Sequence, residues 1–250
     1  MRFSKKQIDQ LNKEYGELEN SYIKIQSEAF ELLERLKIEK AKEYLLYGFI
    51  RRLSTLKRCI DNIYRLYPPS RKQFLQDDVL KDCTINLQAF VLNVYGCLDN
   101  LALVFKYEKE VNIHPKSASF FNKKLQQFLS KELTHYLVNE LEQWTLYQHG
   151  FRHALAHRVP LYIPSRELNG KDLEKHRNFE VEKMKAIQGF NMERYEKYER
   201  KQGSLGENLP VMVHSFLESS EPVLFHSQIL ADFNTVKDFF VRVLKEFSRG

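Results

Sequence analysis

Apolar residues recur every three to four positions over the first quarter of the chain, which is the spacing of one buried face of an α-helix. The pattern predicts two long amphipathic helices between Ser4 and Leu66, or one long helix with a bend near residues 37–40. Ser4 and Gln7 have the spacing of a helix-capping box at the start of this segment. The following Pro68-Pro69 predicts where it ends.

A third helix is predicted from about residue 78 to residue 109. Its apolar positions cover much of the helix circumference, so we expect this helix to lie at the centre of the fold. Asn93, Asp99 and Asn100 interrupt the apolar surface.

A fourth helix is predicted from about residue 131 or 133 to near residue 157, after a shorter helix within residues 117–130. Pro160 and Pro164 follow the fourth helix and prevent it from continuing.

The remainder of the chain has a different pattern. Residues 171–201 are highly charged, with sparse apolar positions, and predict one exposed helix. Two short β-branched and aromatic runs, Val211–Phe216 and Pro222–Phe225, predict a small hairpin. A final helix is predicted over residues 231–247.

These elements predict an all-α fold: an up-and-down bundle of long helices with a small C-terminal β-hairpin. We expect residues 1–165 to form the helical bundle. Residues 166–250 are expected to supply the charged helix, the hairpin and the last helix, packed on the same domain. The low content of chain breakers, 9 Gly and 7 Pro in 250 residues, agrees with long helices.

Composition narrows the function classes. Apolar residues make up 43% of the chain, enough for a sizeable core. The net charge of +6 favours a polyanionic partner, although a solvated basic surface accounts for it equally well. An odd count of three cysteines and the absence of an apolar run after Met1 predict a cytoplasmic protein with no membrane association.

The chemically distinctive segment is His149-Gly150-Phe151-Arg152-His153-Ala154-Leu155-Ala156-His157. RNA carries its own nucleophile, the 2′-hydroxyl, so cleavage needs only proton transfer and charge stabilisation. Histidine can exchange a proton near neutral pH, and the arginine fork binds two phosphate oxygens. Arg152 and His157 supply both functions, but five residues separate them by about 140° on a straight helix. A distorted helix end, or a second copy of the chain, is needed to bring both to one phosphate.

Two other interpretations of this segment stay open. His149, His153 and His157 form one stripe at i, i+4 and i+8, and a pair of them with a remote carboxylate could bind a metal ion. All three span about 12 Å, too far for a single ion. The same residues could also be surface or capping groups that interact with the negative end of the helix dipole.

The run Arg152-His153-Ala154-Leu155-Ala156-His157 resembles the signature of the HEPN superfamily, bacterial type: Arg, a polar residue, a few variable residues, then His. The resemblance covers the motif and a bundle over residues 40–165. It implies a four-helix bundle that dimerises and a metal-independent endoribonuclease without cofactor, such as a toxin or defence component. A nucleotidyltransferase-like antitoxin is then the expected partner beside RNA.

The resemblance also implies residue roles. Arg152 would stabilise the phosphate, His157 would act as general acid or base, and His153 would orient these groups or assist proton transfer. The insert after Pro164 and the C-terminal hairpin depart from the family pattern. Some family members have lost activity and act as scaffolds or binding modules, so a non-catalytic module that binds nucleic acid or protein is the alternative.

Four further residues are expected to support this site. Asp99 and Asn100 interrupt the apolar surface of the central helix, and a buried acid needs a partner, so Asp99 could pair with Arg152 or hold an imidazole. Tyr162 and Arg158 could line the same cleft.

Overall fold

The structure is a computed structural model that describes residues 3–71, 75–164, 168, 170–206, 209–215 and 221–248. In these residues the fold is an all-α bundle with one small antiparallel pair of strands, which confirms the predicted fold class. The expected boundary at residues 165–166 and residue Phe216 lie outside the described residues.

The N-terminal segment forms two helical rods, as one of the two sequence alternatives predicted. Helix α1 spans Lys5–Arg35 and begins with the predicted capping box. The second rod comprises α2 (Glu39–Glu43), a π-helical stretch (Tyr44–Ile50) and α3 (Arg51–Leu66). The Glu108 carboxylate accepts hydrogen bonds from the backbone N–H groups of residues 37 and 38, which fixes the break between the rods.

Helix α4, Asp77–Glu108, is the central helix that its apolar circumference predicted. It packs against α2, α3, the π-helical stretch, α7 and α10, the last two of which are introduced below. By length and composition α4 could cross a membrane, but 56% of its most apolar window is buried inside the protein. That burial is the pattern of a core helix.

The predicted fourth helix is broken into shorter pieces. After α4 come a 3₁₀ turn (Pro115–Ser117), α5 (Lys123–Gln126), α6 (Lys131–His135), a π-helical turn (Tyr136–Glu140) and α7 (Glu142–His157). The break falls at Leu141, whose N–H bonds to the carbonyl of residue 136 and whose side chain is buried. A π-helical turn contains one residue more than an α-helical turn. The helix therefore breaks here, and Leu141 stays in the core.

The charged segment is a hairpin of two helices and not the single helix predicted. Helix α8 spans Gly170–Gln188 and α9 spans Met192–Gly203. Phe190 takes a left-handed conformation (φ 52°) that ends α8, and the Asn191 side chain caps α9 by accepting from the N–H of residue 194. No residue of this hairpin belongs to the main hydrophobic core of the described chain.

The hairpin strands and the last helix complete the core. Strand β1 (Val211–Met212) pairs antiparallel with β2 (Val223–Leu224). Helix α10 spans Phe225–Phe247 and begins six residues earlier than predicted. Its phenylalanines and aliphatic residues are buried in the same core as those of α1, α3 and α4.

Candidate active site

The C-terminal half of α7 lies against α4 and presents the motif singled out from sequence. Phe151 is buried in the core, so this face of the helix packs inward. The helix ends at His157 because Arg158 leaves helical geometry (φ −134°, ψ −143°). The Gln88 side chain of α4 donates to the Leu161 carbonyl at 2.8 Å, so the chain after α7 is also held against α4.

One small cavity gathers the three predicted catalytic residues. It has a volume of about 120 Å³ and is lined by His149, Arg152, His153, Ala156 and His157. The ring centroids of His153 and His157 are 5.2 Å apart. Arg152 and His157 both border this cavity, although roughly 140° separates them on the helix. The side chains therefore reach a common volume without a sharp bend in α7.

The Arg152 guanidinium is held by two groups of α4. Its Nη2 lies 3.8 Å from an Asp99 carboxylate oxygen, which makes the ion pair expected for Asp99. Its Cζ lies 4.2 Å from the centroid of the Tyr95 ring, in cation–π geometry. The side chain remains 43% exposed, so these contacts orient the guanidinium without removing it from solvent.

The ionisable groups around Arg152 respond to burial and to its charge. Burial raises the pKa of Asp99, and the positive charges of Arg152 and Arg52 counteract part of that rise. Burial also raises the pKa of Tyr95; the Asp99 charge adds to this increase and Arg152 opposes it. The two arginines thus favour the ionised form of the Asp99 carboxyl group, although burial keeps its pKa above the ordinary value.

Arg52 of α3 is fixed on α4 by an unusually close approach. Its Nε donates to Asn100 Oδ1 at 2.8 Å and its Nη1 donates to Asn93 Oδ1 at 2.9 Å. A Cβ at Gly96 would lie only 2.5 Å from the guanidinium carbon, so a larger residue would displace the guanidinium from Asn93 and Asn100. Asn100 thus holds Arg52, whose charge acts on the Asp99 carboxyl group.

Two of the expected supporting residues stand outside the cavity lining. Tyr162 forms a backbone bridge to Val213, with N–O distances of 2.8 and 3.0 Å, which ties the segment after α7 to the end of β1. Arg158 is exposed at the helix end. Neither residue is among those that line the cavity.

The histidine stripe does not form a recognisable metal centre. His149 and His153 have nearly parallel rings with centroids 6.0 Å apart. Within the described residues, no group of three or more His, Cys, Asp or Glu side chains is placed to hold a metal ion.

Sequence reasoning missed Tyr95 and Arg52. Tyr95 lies one helical turn before Asp99, so the i, i+4 spacing on the central helix was a usable signal. No local pattern marks Arg52, because its partners Asn93 and Asn100 are more than 40 residues away along the chain.

Comparisons with family models, with curated proteins and with solved structures gave no match to this chain.

Proposed function

We propose that Arg152, His153 and His157 form the active site of a metal-independent endoribonuclease of the HEPN type. The observation that supports this function best is the common cavity: one guanidinium and three imidazoles, those of His149, His153 and His157, border a single volume of about 120 Å³ at the surface. These are the groups that RNA cleavage by its own 2′-hydroxyl requires.

The proposed reaction is a transesterification within the RNA. The 2′-oxygen attacks phosphorus, the bond to the 5′-oxygen breaks, and the products are a 2′,3′-cyclic phosphate and a 5′-hydroxyl. His157 takes the proton from the 2′-hydroxyl or gives one to the leaving 5′-oxygen, and His153 assists the complementary transfer. Arg152 binds the phosphate oxygens and stabilises the charge that develops on them.

A second copy of the chain is proposed to close the shallow cavity. Ile85 and Leu92 are 60% and 43% exposed on α4, and at seven-residue spacing they share a stripe with Asp99. Leu146 is 62% exposed on α7, seven residues before His153. Because these exposed apolar side chains share helix stripes with Asp99 and His153, they support a homodimer contact on the face that carries the site.

The test is cleavage of several single-stranded RNAs by pure protein in EDTA, with end-group analysis of the products. We expect a 2′,3′-cyclic phosphate from the wild type and loss of cleavage in Arg152→Ala and in His157→Ala. Arg58→Ala and His135→Ala, which alter exposed residues outside the cavity, serve as matched controls.

Two outcomes contradict the proposal. If the RNA stays intact after incubation with the wild type, the protein is not an endoribonuclease. If Arg152→Ala and Arg58→Ala cleave RNA at equal rates, Arg152 is not part of the active site. Circular dichroism of each variant verifies that the helical fold is retained.

A non-catalytic nucleic-acid-binding module is the second candidate. The observation that favours it is that Arg152 contacts Asp99 and Tyr95 within one chain in the absence of RNA, as a structural side chain does. This alternative predicts RNA binding without turnover. Binding should weaken steeply as salt increases, because phosphate contacts release counterions.

We further propose that the protein acts in the cytoplasm as a toxin or defence component that a nucleotidyltransferase-like antitoxin restrains. Growth arrest on expression of the wild type, but not of Arg152→Ala, is the expected result. Rescue by co-expression of the neighbouring gene would identify the antitoxin.

A further inference from the structure

A fully buried carboxyl group lies where α10 meets α7. Asp232 of α10 has no solvent exposure, and its Oδ1 accepts from Trp144 Nε1 and from Gln228 Nε2, each at 2.8 Å. Its Oδ2 has no hydrogen-bond partner. The Gln148 side chain lies beside the carboxyl group and is equally buried, yet neither atom of its amide is hydrogen-bonded.

The charge state of this carboxyl group is finely balanced. Burial raises the pKa of Asp232 from 3.8 to about 7, while the two uncharged donors Trp144 and Gln228 and the adjoining Gln148 amide lower it. Among the described residues, no charged side chain of α7 or of the other helices that pack on α10 contributes to this pKa shift. Tyr147 of α7 is the nearby titratable group, and burial together with the Asp232 charge raises its own pKa.

Trp144 and Gln148, the two α7 residues beside Asp232, lie on the same side of α7 as Arg152 of the candidate active site. Trp144, Gln148 and Arg152 occupy positions i, i+4 and i+8 of α7 and so form one stripe along the helix. The first two contact or adjoin the carboxyl group of α10, and the third lines the cavity. A small rotation of α7 that changes the contacts of Trp144 and Gln148 must therefore change the direction of Arg152.

We propose that Asp232 is a positioning residue for Arg152, and that gain or loss of a proton on Asp232 rotates α7 and so regulates the active site. This inference rests on the proposed function and adds a regulation of the same site.

The proton acts through the Gln148 amide. A protonated Asp232 can donate from Oδ2 to Gln148 Oε1, whereas the ionised carboxylate can only accept, from Gln148 Nε2. The two charge states therefore demand opposite orientations of one buried amide. The close packing around it transmits the change to the backbone of α7.

The first experiment uses Trp144 as a probe, because it is the single tryptophan of the chain. Its fluorescence in the native wild type should change with a midpoint near pH 7, as the adjoining carboxyl group ionises. Asp232→Asn should lose this transition. Asp238→Asn, which removes an exposed carboxylate from the cleft that Trp144 also lines, should keep it. A transition that persists in Asp232→Asn, or is absent from the wild type, overturns the proposal.

The second experiment measures the coupling to the site by NMR. The imidazole signals of His153 and His157 should show an inflection at the midpoint found for Trp144, and Asp232→Asn should remove that inflection while each histidine still titrates. Identical titration curves in wild type and variant overturn the proposal. If Asp232→Asn does not fold, Trp144→Phe, which removes only the indole donor, should displace the same inflection.

Both readouts are independent of RNA cleavage. A protein that cleaves no RNA but shows the shared inflection contradicts the proposed function alone. A protein that cleaves RNA without the inflection contradicts the regulation alone. In an active protein, Asp232→Asn should remove from the pH profile of kcat/KM the inflection whose midpoint matches that of Trp144, because this proton acts on RNA cleavage through Arg152 alone.

Discussion

Asp232→Asn tests the energetic consequence of the buried carboxyl group. The substitution keeps the shape of the side chain and its acceptor for Trp144, but it cannot ionise. The wild-type group has a pKa of about 7 in the folded protein against 3.8 for the ordinary group. The folded state therefore binds the proton more tightly than the unfolded state does.

The sign of the pH effect follows from this difference. Below pH 3.8 both states hold the proton, and between pH 3.8 and about 7 the unfolded state alone releases it. The stabilising contribution of the protonated group is therefore complete below pH 3.8 and is lost as the pH rises towards 7. At about 1.36 kcal/mol per pH unit, the full shift corresponds to roughly 4 kcal/mol, an upper bound because buried charges draw in water and rearrange their neighbours.

The assay is urea unfolding followed by circular dichroism at pH 5 and at pH 8, for wild type and variant. Since all other titrating groups cancel in the difference, the stability of Asp232→Asn relative to wild type should rise by up to about 3 kcal/mol from pH 5 to pH 8. The same difference at both pH values would show that Asp232 is ionised throughout, and the raised pKa would then be wrong.

Three further predictions follow from local geometry. Gly96→Ala places a methyl group 2.5 Å from the Arg52 guanidinium and should destabilise the fold by about 1–3 kcal/mol. In Gly150→Ala the methyl group meets nothing within 4 Å, so this substitution should stabilise the fold by about 1 kcal/mol. Urea unfolding of both variants measures the difference. Tyr95→Leu should slow RNA cleavage several-fold more than Tyr95→Phe, because only phenylalanine keeps a ring under the guanidinium. Burial lowers the pKa of His226 from 6.5 to about 4, so wild type should lose roughly 3 kcal/mol as the pH falls through that interval, and His226→Gln should lose less in acid unfolding.

Local patterns predicted the elements whose causes are local. The capping box at Ser4, the central α4 and the end of α7 before Pro160 each follow from residues a few positions apart. The break at Leu141 did not follow, because no glycine or proline stands where that helix stops. At the end of α8 the sequence does carry a signal, Gly189, which was not used. Burial of one leucine and a left-handed phenylalanine set these boundaries.

In the candidate site, too, residues with local signals were predicted from the sequence and residues with distant partners were not. Arg152, His153 and His157 were found from sequence because the motif lies within six residues. Arg52 and Asp232 act through partners 41 to 88 residues away. Such pairs depend on which helices become neighbours, and spacing along the chain does not contain that information.

We propose that Arg152 and His157 act together on one phosphodiester. The most direct measurement is a double-mutant cycle on the RNA cleavage rate with Arg152→Ala, His157→Ala and the combined variant. Residues that act as a unit are strongly non-additive, so the account predicts that the combined variant cleaves no more slowly than the slower single variant. A combined loss equal to the product of the two separate losses would show that the two side chains work independently, and would contradict the account.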